Sequence, residues 1–242
     1  MRVFCFGDSH KSISYLRDMA QKANEFGCDV MFSMGDFGYW PRIPTGVAFL
    51  ESATRLANKY NMPIFFLDGN HEDFKMLEDV HGALTFTDRF HEVRPRVFYS
   101  PRGHTFEWDG VRFMTMGGAY SVDRSNNVLG EGWFLEEEIT LPQARRAQNA
   151  GKIDILLCHD APDIVDLRTH MSRYVTMESA KMNRRLLGDI VRSTRPQLVI
   201  HGHHHLSYRD RIDDTQVIGL AANYDYRTLN DCFWIVDTKD FK

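Results

Sequence analysis

"QLVIHGHHHLSY", residues 197–208, decides how this chain is read. A short apolar run ends in glycine, and His201, His203, His204 and His205 crowd its exit. An apolar run bounded in this way predicts a strand buried on both faces. Imidazoles at its exit predict a site at the strand's carboxyl end, where open α/β sheets bind ligands.

Four earlier stretches repeat the pattern. "RVFCF" (2–6) runs into "GDSH", with Asp8 and His10. "CDVMFSMG" (28–35) runs into Asp36, and "MPIFFLDG" (62–69) into Asn70 and His71 of "GNHE". "IDILLCHD" (153–160) carries His159. Five separate loops thus deliver carboxylates, imidazoles and an amide to one edge. In four of them glycine precedes the first polar residue, which allows a tight turn and close approach.

Helical patterns lie between these runs. Residues 12–26 place Ile13, Leu16, Ala20, Ala23 and Phe26 on one stripe, and 45–60 do the same with Val47, Leu50, Ala53, Ala57 and Tyr60. Residues 142–150 open on proline and stop before Gly151, and 177–192 form a further candidate. Alternation of strand and helix predicts an α/β architecture. Asp109-Gly110 predicts a hairpin within 96–118. "TQVIGLAANY" and "CFWIVDT" read as antiparallel strands, and 119–140 as a long irregular loop of the kind that carries function.

The 242 residues suffice for a single domain, 1–242. A net charge of −4 supplies no strong nucleic-acid footprint. No apolar run approaches a membrane span, and the N-terminus enters a strand-like run without a secretory leader pattern. Cys5, Cys28, Cys158 and Cys232 are scattered, as expected of reduced thiols in a cytoplasmic protein.

Asp, His and Asn offer oxygen and nitrogen donors, which suit borderline to hard divalent ions. Such a set is too large for one tetrahedral zinc. It suits two ions sharing a bridging carboxylate, a common device for phosphoester cleavage. Along an extended backbone, His203 and His205 face one way and His204 the other. His201 shares their parity, so alternation alone does not exclude it.

The order "GDSH … GD … GNHE … CH … GHHH" resembles the calcineurin-like metallophosphoesterase superfamily, whose pattern is D-x-H, G-D, G-N-H-[DE], H and G-H-x-H. The resemblance runs from Asp8 to His205. It implies a four-layer α/β/β/α sandwich of two mixed β-sheets flanked by helices, with the site at the strand carboxyl ends. It selects His203 and His205 over His201. It further implies that Asp8, His10, Asp36 and His205 hold one ion, and Asp36, Asn70, His159 and His203 the other, with Asp36 bridging. His71 stays off the metals and faces the phosphate and leaving group.

The chain departs from the phosphoprotein phosphatase branch, which reads G-D-x-x-D-R-G at the second block. Tyr39 and Trp40 stand where that aspartate and arginine would be. His71 therefore needs another partner, and protein phosphatase activity is disfavoured. Lys11 replaces a frequent glycine after the first block and is expected to project toward the site.

The resemblance implies a binuclear phosphodiesterase with a metal-bridging hydroxide as nucleophile. Asn70 and Asp36 would hold the phosphate and the ions, and His71 would act on the leaving oxygen. The expected cofactors are two divalent ions per chain, manganese first, with iron, zinc, nickel or cobalt as alternatives. The expected substrate is a small phosphodiester, first a 2′,3′- or 3′,5′-cyclic nucleotide. A nuclease on short or single strands, a phosphomonoesterase or protein phosphatase, and a non-catalytic interaction module are the alternatives. Monomer and dimer both stay open. His81, His91, His104 and His170 are expected at the surface, and His201 and His204 behind the site or facing solvent. Trp40, Trp108, Trp133 and Trp234 are expected in the core or at its rim, Cys158 buried and inert, and Glu136–Glu138 at a helix start.

Overall fold

The computed structural model describes residues 1–81, 89–167, 178–223 and 227–241, with side chains left out for 78–81. His170, expected at the surface, lies outside the described residues, and so does the side chain of His81, of which the same was expected. The five apolar runs form β1 (Arg2–Phe6), β2 (Val30–Ser33), β3 (Ile64–Phe66), β8 (Ile155–Cys158) and β9 (Leu198–His201). Every residue of β2, β3, β8 and β9 is buried, as strands covered on both faces require.

The helices are α1 (Ile13–Glu25), α2 (Pro44–Lys59), α3 (Phe74–His81), α4 (Leu141–Gln148) and α5 (Glu178–Thr194). Ser12 caps α1 by accepting the Tyr15 N–H. Thr140 and Gln143 cap α4 reciprocally, with proline in the first turn.

The remaining strands are β4 (His91–Arg94), β5 (Val97–Tyr99), β6 (Thr105–Trp108), β7 (Val111–Met116), β10 (Tyr208–Ile212), β11 (Thr215–Gly219) and β12 (Phe233–Asp237). Two six-stranded sheets result, in the orders β12-β1-β2-β3-β5-β4 and β10-β11-β9-β8-β7-β6. Each has four parallel strands inside and an antiparallel strand at either edge. The Asp109-Gly110 hairpin joins β6 to β7, both residues with positive φ.

Three apolar layers hold the sandwich. Val3, Phe32, Leu157 and Ile200 meet between the sheets. Leu16, Phe49 and Leu50 pack α1 and α2 onto the first sheet, and Ala144, Leu187 and Ile190 pack α4 and α5 onto the second. The expected four-layer α/β/β/α sandwich is the observed one. Both tail strands pair antiparallel as expected, β11 with β10 and β12 with β1, but they lie in different sheets and β11 also runs parallel to β9. Among the described residues, no helix is long and apolar enough to cross a membrane.

Candidate functional site

The carboxyl ends of β1, β2 and β3 in one sheet, and of β8 and β9 in the other, open onto one cleft edge. Asp8, Asp36, Asn70 and His159 are buried there. Asp36 lies between two histidine groups, its Oδ1 3.5 Å from His159 Nε2 and its Oδ2 3.8 Å from His10 Nε2. On the far side, His10 and His205 bring their Nε2 atoms to 3.2 Å, and His205 Nε2 is 3.2 Å from Asp8 Oδ2. On the near side, His159 Nε2 is 3.1 Å from Asn70 Oδ1, and the His203 ring centre is 5.0 Å from that of His159.

Backbone geometry serves this convergence. His10, Asp36, His203 and His205 all have positive φ, between 45° and 62°. Non-glycine residues pay for that conformation, and they keep it where a site demands it. His203 and His205 therefore share a site because each sits in the left-handed region. They do not sit on extended backbone, since β9 ends at His201. His10 N–H donates to the Asp36 carbonyl, and His203 N–H to the Asp8 carboxylate at 3.0 Å.

Glycines make room across loops. A Cβ on Gly35 would meet His159 Nδ1 at 2.3 Å, one on Gly69 would meet Asp36 Oδ1 at 2.1 Å, and one on Gly202 would meet Asp8 Oδ1 at 2.1 Å.

The donor set suits a cation. His159 Nδ1 donates to the Met34 carbonyl at 2.7 Å, so Nε2 is the ring nitrogen that faces inward. Asn70 Oδ1 and Asp36 Oδ1 point toward the same place, and with the ring neutral three lone pairs would converge there. Positive charge relieves this. Burial disfavours protonated His159, yet the neighbouring Asp36 and Asp8 raise its pKa to about 10. Burial likewise favours neutral Asp8 and Asp36, but His205 and His159 hold both below the ordinary carboxylate range. His203 is kept neutral by burial, at about 3. Asp8, His10 and His205 have donor atoms close enough together to share one ion, as do Asp8, Asp36 and His159.

A family model of calcineurin-like phosphoesterases matches residues 1–207. The chain belongs to the calcineurin-like phosphoesterase family. As a metallophosphoesterase it is a hydrolytic enzyme, of a family that works with a binuclear divalent metal site. No curated protein matches the chain in sequence. The fold is shared with a dimetal phosphatase from Danio rerio, at 12% identity, TM-score 0.59, and coverage of 97% of this chain and 91% of that one. It is also shared with the Thermus thermophilus protein TT1561, at 13% identity, TM-score 0.54, and 98% coverage of each chain.

In this metallophosphoesterase His71 sits beside His10, ring centres 5.6 Å apart. Its backbone is held at both ends: its N–H donates to Asp36 Oδ1 at 2.8 Å, and its carbonyl accepts Trp40 Nε1–H at 2.7 Å. Trp40 thus supplies a tether in the loop that lacks the phosphatase aspartate. Lys11 lies over the Trp40 ring, 5.3 Å from its centre.

His204 reaches Asp160 at 2.9 Å, and its donor atom lies close enough to those of Asp160 and His203 for the three to share an ion. His201 is buried against Tyr208. Cys158 is buried, and burial raises its thiol far above the ordinary range. Two expectations fail. His104 is buried, not at the surface, because Ser100 gives its Nδ1 a partner at 3.1 Å and Phe90 packs on its ring. Glu136–Glu138 do not start an α-helix. Leu135–Glu137 form a single 3-10 turn, and Glu137 is buried against Ser121.

Several supporting residues escape a reading of the sequence. Glu72 accepts the Gly38 and Gly69 N–H groups, stapling the Asp36 loop to the Asn70 loop. Burial and the nearby Asp36 push its carboxyl up to about 8. Asp160 accepts from His204, Asn183 and its neighbour's N–H. The "GNHE" and "CHDAP" blocks place both beside the site, but nothing in them specifies partners from other elements.

Proposed function

We propose that the chain is a binuclear metal-dependent phosphodiesterase acting on a nucleotide-sized diester, first a 2′,3′- or 3′,5′-cyclic nucleotide. The observation that carries the reading is the pair of donor groups on either side of Asp36. Asp8, His10, Asp36 and His205 would hold one divalent ion, and Asp36, Asn70, His159 and His203 the other. Manganese is the first choice, since the set has no thiolate. Bound there, two such ions activate a water and neutralise charge on the phosphoryl oxygens.

The chain's own residues orient and protonate. Asp36, fixed by the Asn70 and His71 N–H groups, keeps the two donor groups at a constant separation. Asn70 directs its carbonyl oxygen inward. His71, tethered through its backbone and free of the donor groups, delivers a proton to the leaving oxygen.

The diester preference rests on the second block. Tyr39 is buried in the core, and Arg42, further along the loop, forms a two-pronged pair with Asp73 at 2.6 and 2.7 Å. That guanidinium is committed to structure. A monoanionic diester asks for less positive charge than a dianionic monoester.

The test is metal analysis followed by a panel of both cyclic nucleotide types, an aryl monoester, a phosphopeptide and single-stranded DNA. Two ions per chain and fastest turnover of a cyclic nucleotide are expected. Faster turnover of a monoester or phosphopeptide overturns the diester reading, and faster turnover of DNA makes it a nuclease. Little metal and no turnover would leave an interaction module.

A further inference from the structure

An asparagine ligand poses a problem that a carboxylate does not. Only Oδ1 offers a lone pair to a cation, whereas Nδ2 carries two hydrogens and repels one. Rotating the amide by half a turn would exchange them at little steric cost. Something must choose the end that faces inward.

The long 119–140 loop does so. Asn70 Nδ2 donates to Ser121 Oγ at 2.9 Å. The Ser121 hydroxyl donates to Glu137 Oε2, and Glu137 Oε1 accepts the Phe134 N–H at 3.0 Å. Asn70 and Ser121 are each 3% exposed and Glu137 1%, so water does not compete for these bonds. Ionised Glu137 sets the direction of the chain, and burial, which pushes its carboxyl up to about 8, works against that form. The carboxylate accepts the serine proton, which leaves the Oγ lone pair to face Nδ2. Turned over, Asn70 would present Oδ1 to an oxygen whose proton is already committed.

Glu137 is itself pinned. Arg102 Nη2 donates to the Glu136 and Glu137 carbonyls at 2.7 and 3.1 Å, and Nη1 donates to the Glu138 carbonyl at 2.8 Å. Its Nε donates to Asp68 Oδ2 at 2.8 Å. Asp68 lies two residues before Asn70, so both ends of the relay are fastened to the exit of β3.

We propose that Ser121 and Glu137 are positioning residues, which fix the Asn70 amide so that Oδ1 faces the metal site. This rests on the reading of Asn70 as a ligand. A buried acidic residue in a loop far along the sequence would then govern metal affinity without touching metal or substrate.

The test is a double-mutant cycle read by calorimetric titration of manganese into chelator-treated protein. In Glu137→Gln the Phe134 N–H retains the new carbonyl, so the amide nitrogen faces Ser121 and reverses the relay. The affinity for one of two manganese ions should fall by about 10–100-fold, the usual effect of disturbing a partner behind a ligand. Ser121→Ala should act in the same direction and serves if Glu137→Gln fails to fold. In an Asn70→Asp background, where both ends are oxygen, Glu137→Gln should add almost nothing. Wild-type affinity in both Glu137→Gln and Ser121→Ala overturns the proposal. Equal losses in the wild-type and Asn70→Asp backgrounds also overturn it, since they mean mere structural damage. Asn70→Ala binding both ions at wild-type affinity would instead remove the ligand reading, and the relay with it.

Discussion

Gly69→Ala tests the crossed packing of the loops most directly. Gly69 does not lie in the left-handed region, so alanine brings no backbone strain there. The new Cβ would lie 2.1 Å from Asp36 Oδ1, where ordinary contact begins at 3.4 Å. The carboxylate or its loop must retreat by about 1.3 Å to clear it. Oδ1 accepts N–H groups from Asn70 at 2.9 Å and His71 at 2.8 Å, and a retreat of that size breaks both. Hydrogen bonds to an ionised group contribute roughly 1.5–3 kcal/mol each, so roughly 3–6 kcal/mol holds Asp36 in place. At about 1.4 kcal/mol per tenfold, that corresponds to about 10²–10⁴ in affinity for ions bridged by Asp36. Loop relaxation recovers part of this, so the lower end is expected. Calorimetric titration with manganese measures it, with far-UV circular dichroism as the check on folding. Gly132→Ala, which likewise lies outside the left-handed region and whose Cβ would meet first the end of the Asn127 side chain at 3.0 Å, is the control for replacing a glycine. A folded Gly69→Ala protein that binds two ions at wild-type affinity would refute the reasoning.

Three further outcomes are expected. His203→Ala and His205→Ala should each lose metal and most activity, whereas His204→Ala should keep both ions because its partner is Asp160; metal content by mass spectrometry decides this. His71→Ala should keep both ions but slow nucleotide hydrolysis by roughly 10²–10⁴, with a much smaller loss on an aryl ester that needs little protonation. Equal losses on the two substrates would show that His71 binds phosphate instead. His201 is held near 3 in the fold by burial, against an ordinary 6.5. The unfolded chain therefore binds the proton first, and stability falls as pH drops below 6.5. Between about pH 6.5 and 4.5 this amounts to roughly 2 kcal/mol. His201→Gln should flatten the acid limb of metal-free denaturation by up to that amount, and parallel curves would contradict the assignment.

What the sequence reveals is local. Apolar runs such as "FSM" and "ILLC" are buried on both faces, and their glycine exits announce the loops. Pairing is not local. Nothing in "TQVIGLAANY" or "CFWIVDT" says that β11 joins β9 while β12 crosses to β1 in the other sheet. His203 and His205 are legible as a pair, but for a reason that does not apply: they converge through positive φ, a cost that no residue pattern announces. His104 misleads because its burial depends on Ser100 and Phe90. Glu137 misleads because three acids in a row read as a helix start, while its partners Ser121 and Phe134 meet it only after the loop closes.

The same feature explains why the site should behave as one unit. Asp8, His10, Asp36 and Asn70 come from the first sheet, His159, His203 and His205 from the second. Each loop leans on another: His10 N–H on the Asp36 carbonyl, His203 N–H on Asp8, the Gly35 backbone on His159. Four residues in the left-handed region cost of order 1–3 kcal/mol each, and these crossed contacts are what offset the strain. A residue displaced on one sheet therefore releases strain on the other. Losses from paired substitutions across the two sheets should add to less than their sum, because the first already relaxes what the second would disturb. Cations binding between the sheets act on that same balance, so their binding free energy is also free energy of docking one sheet against the other.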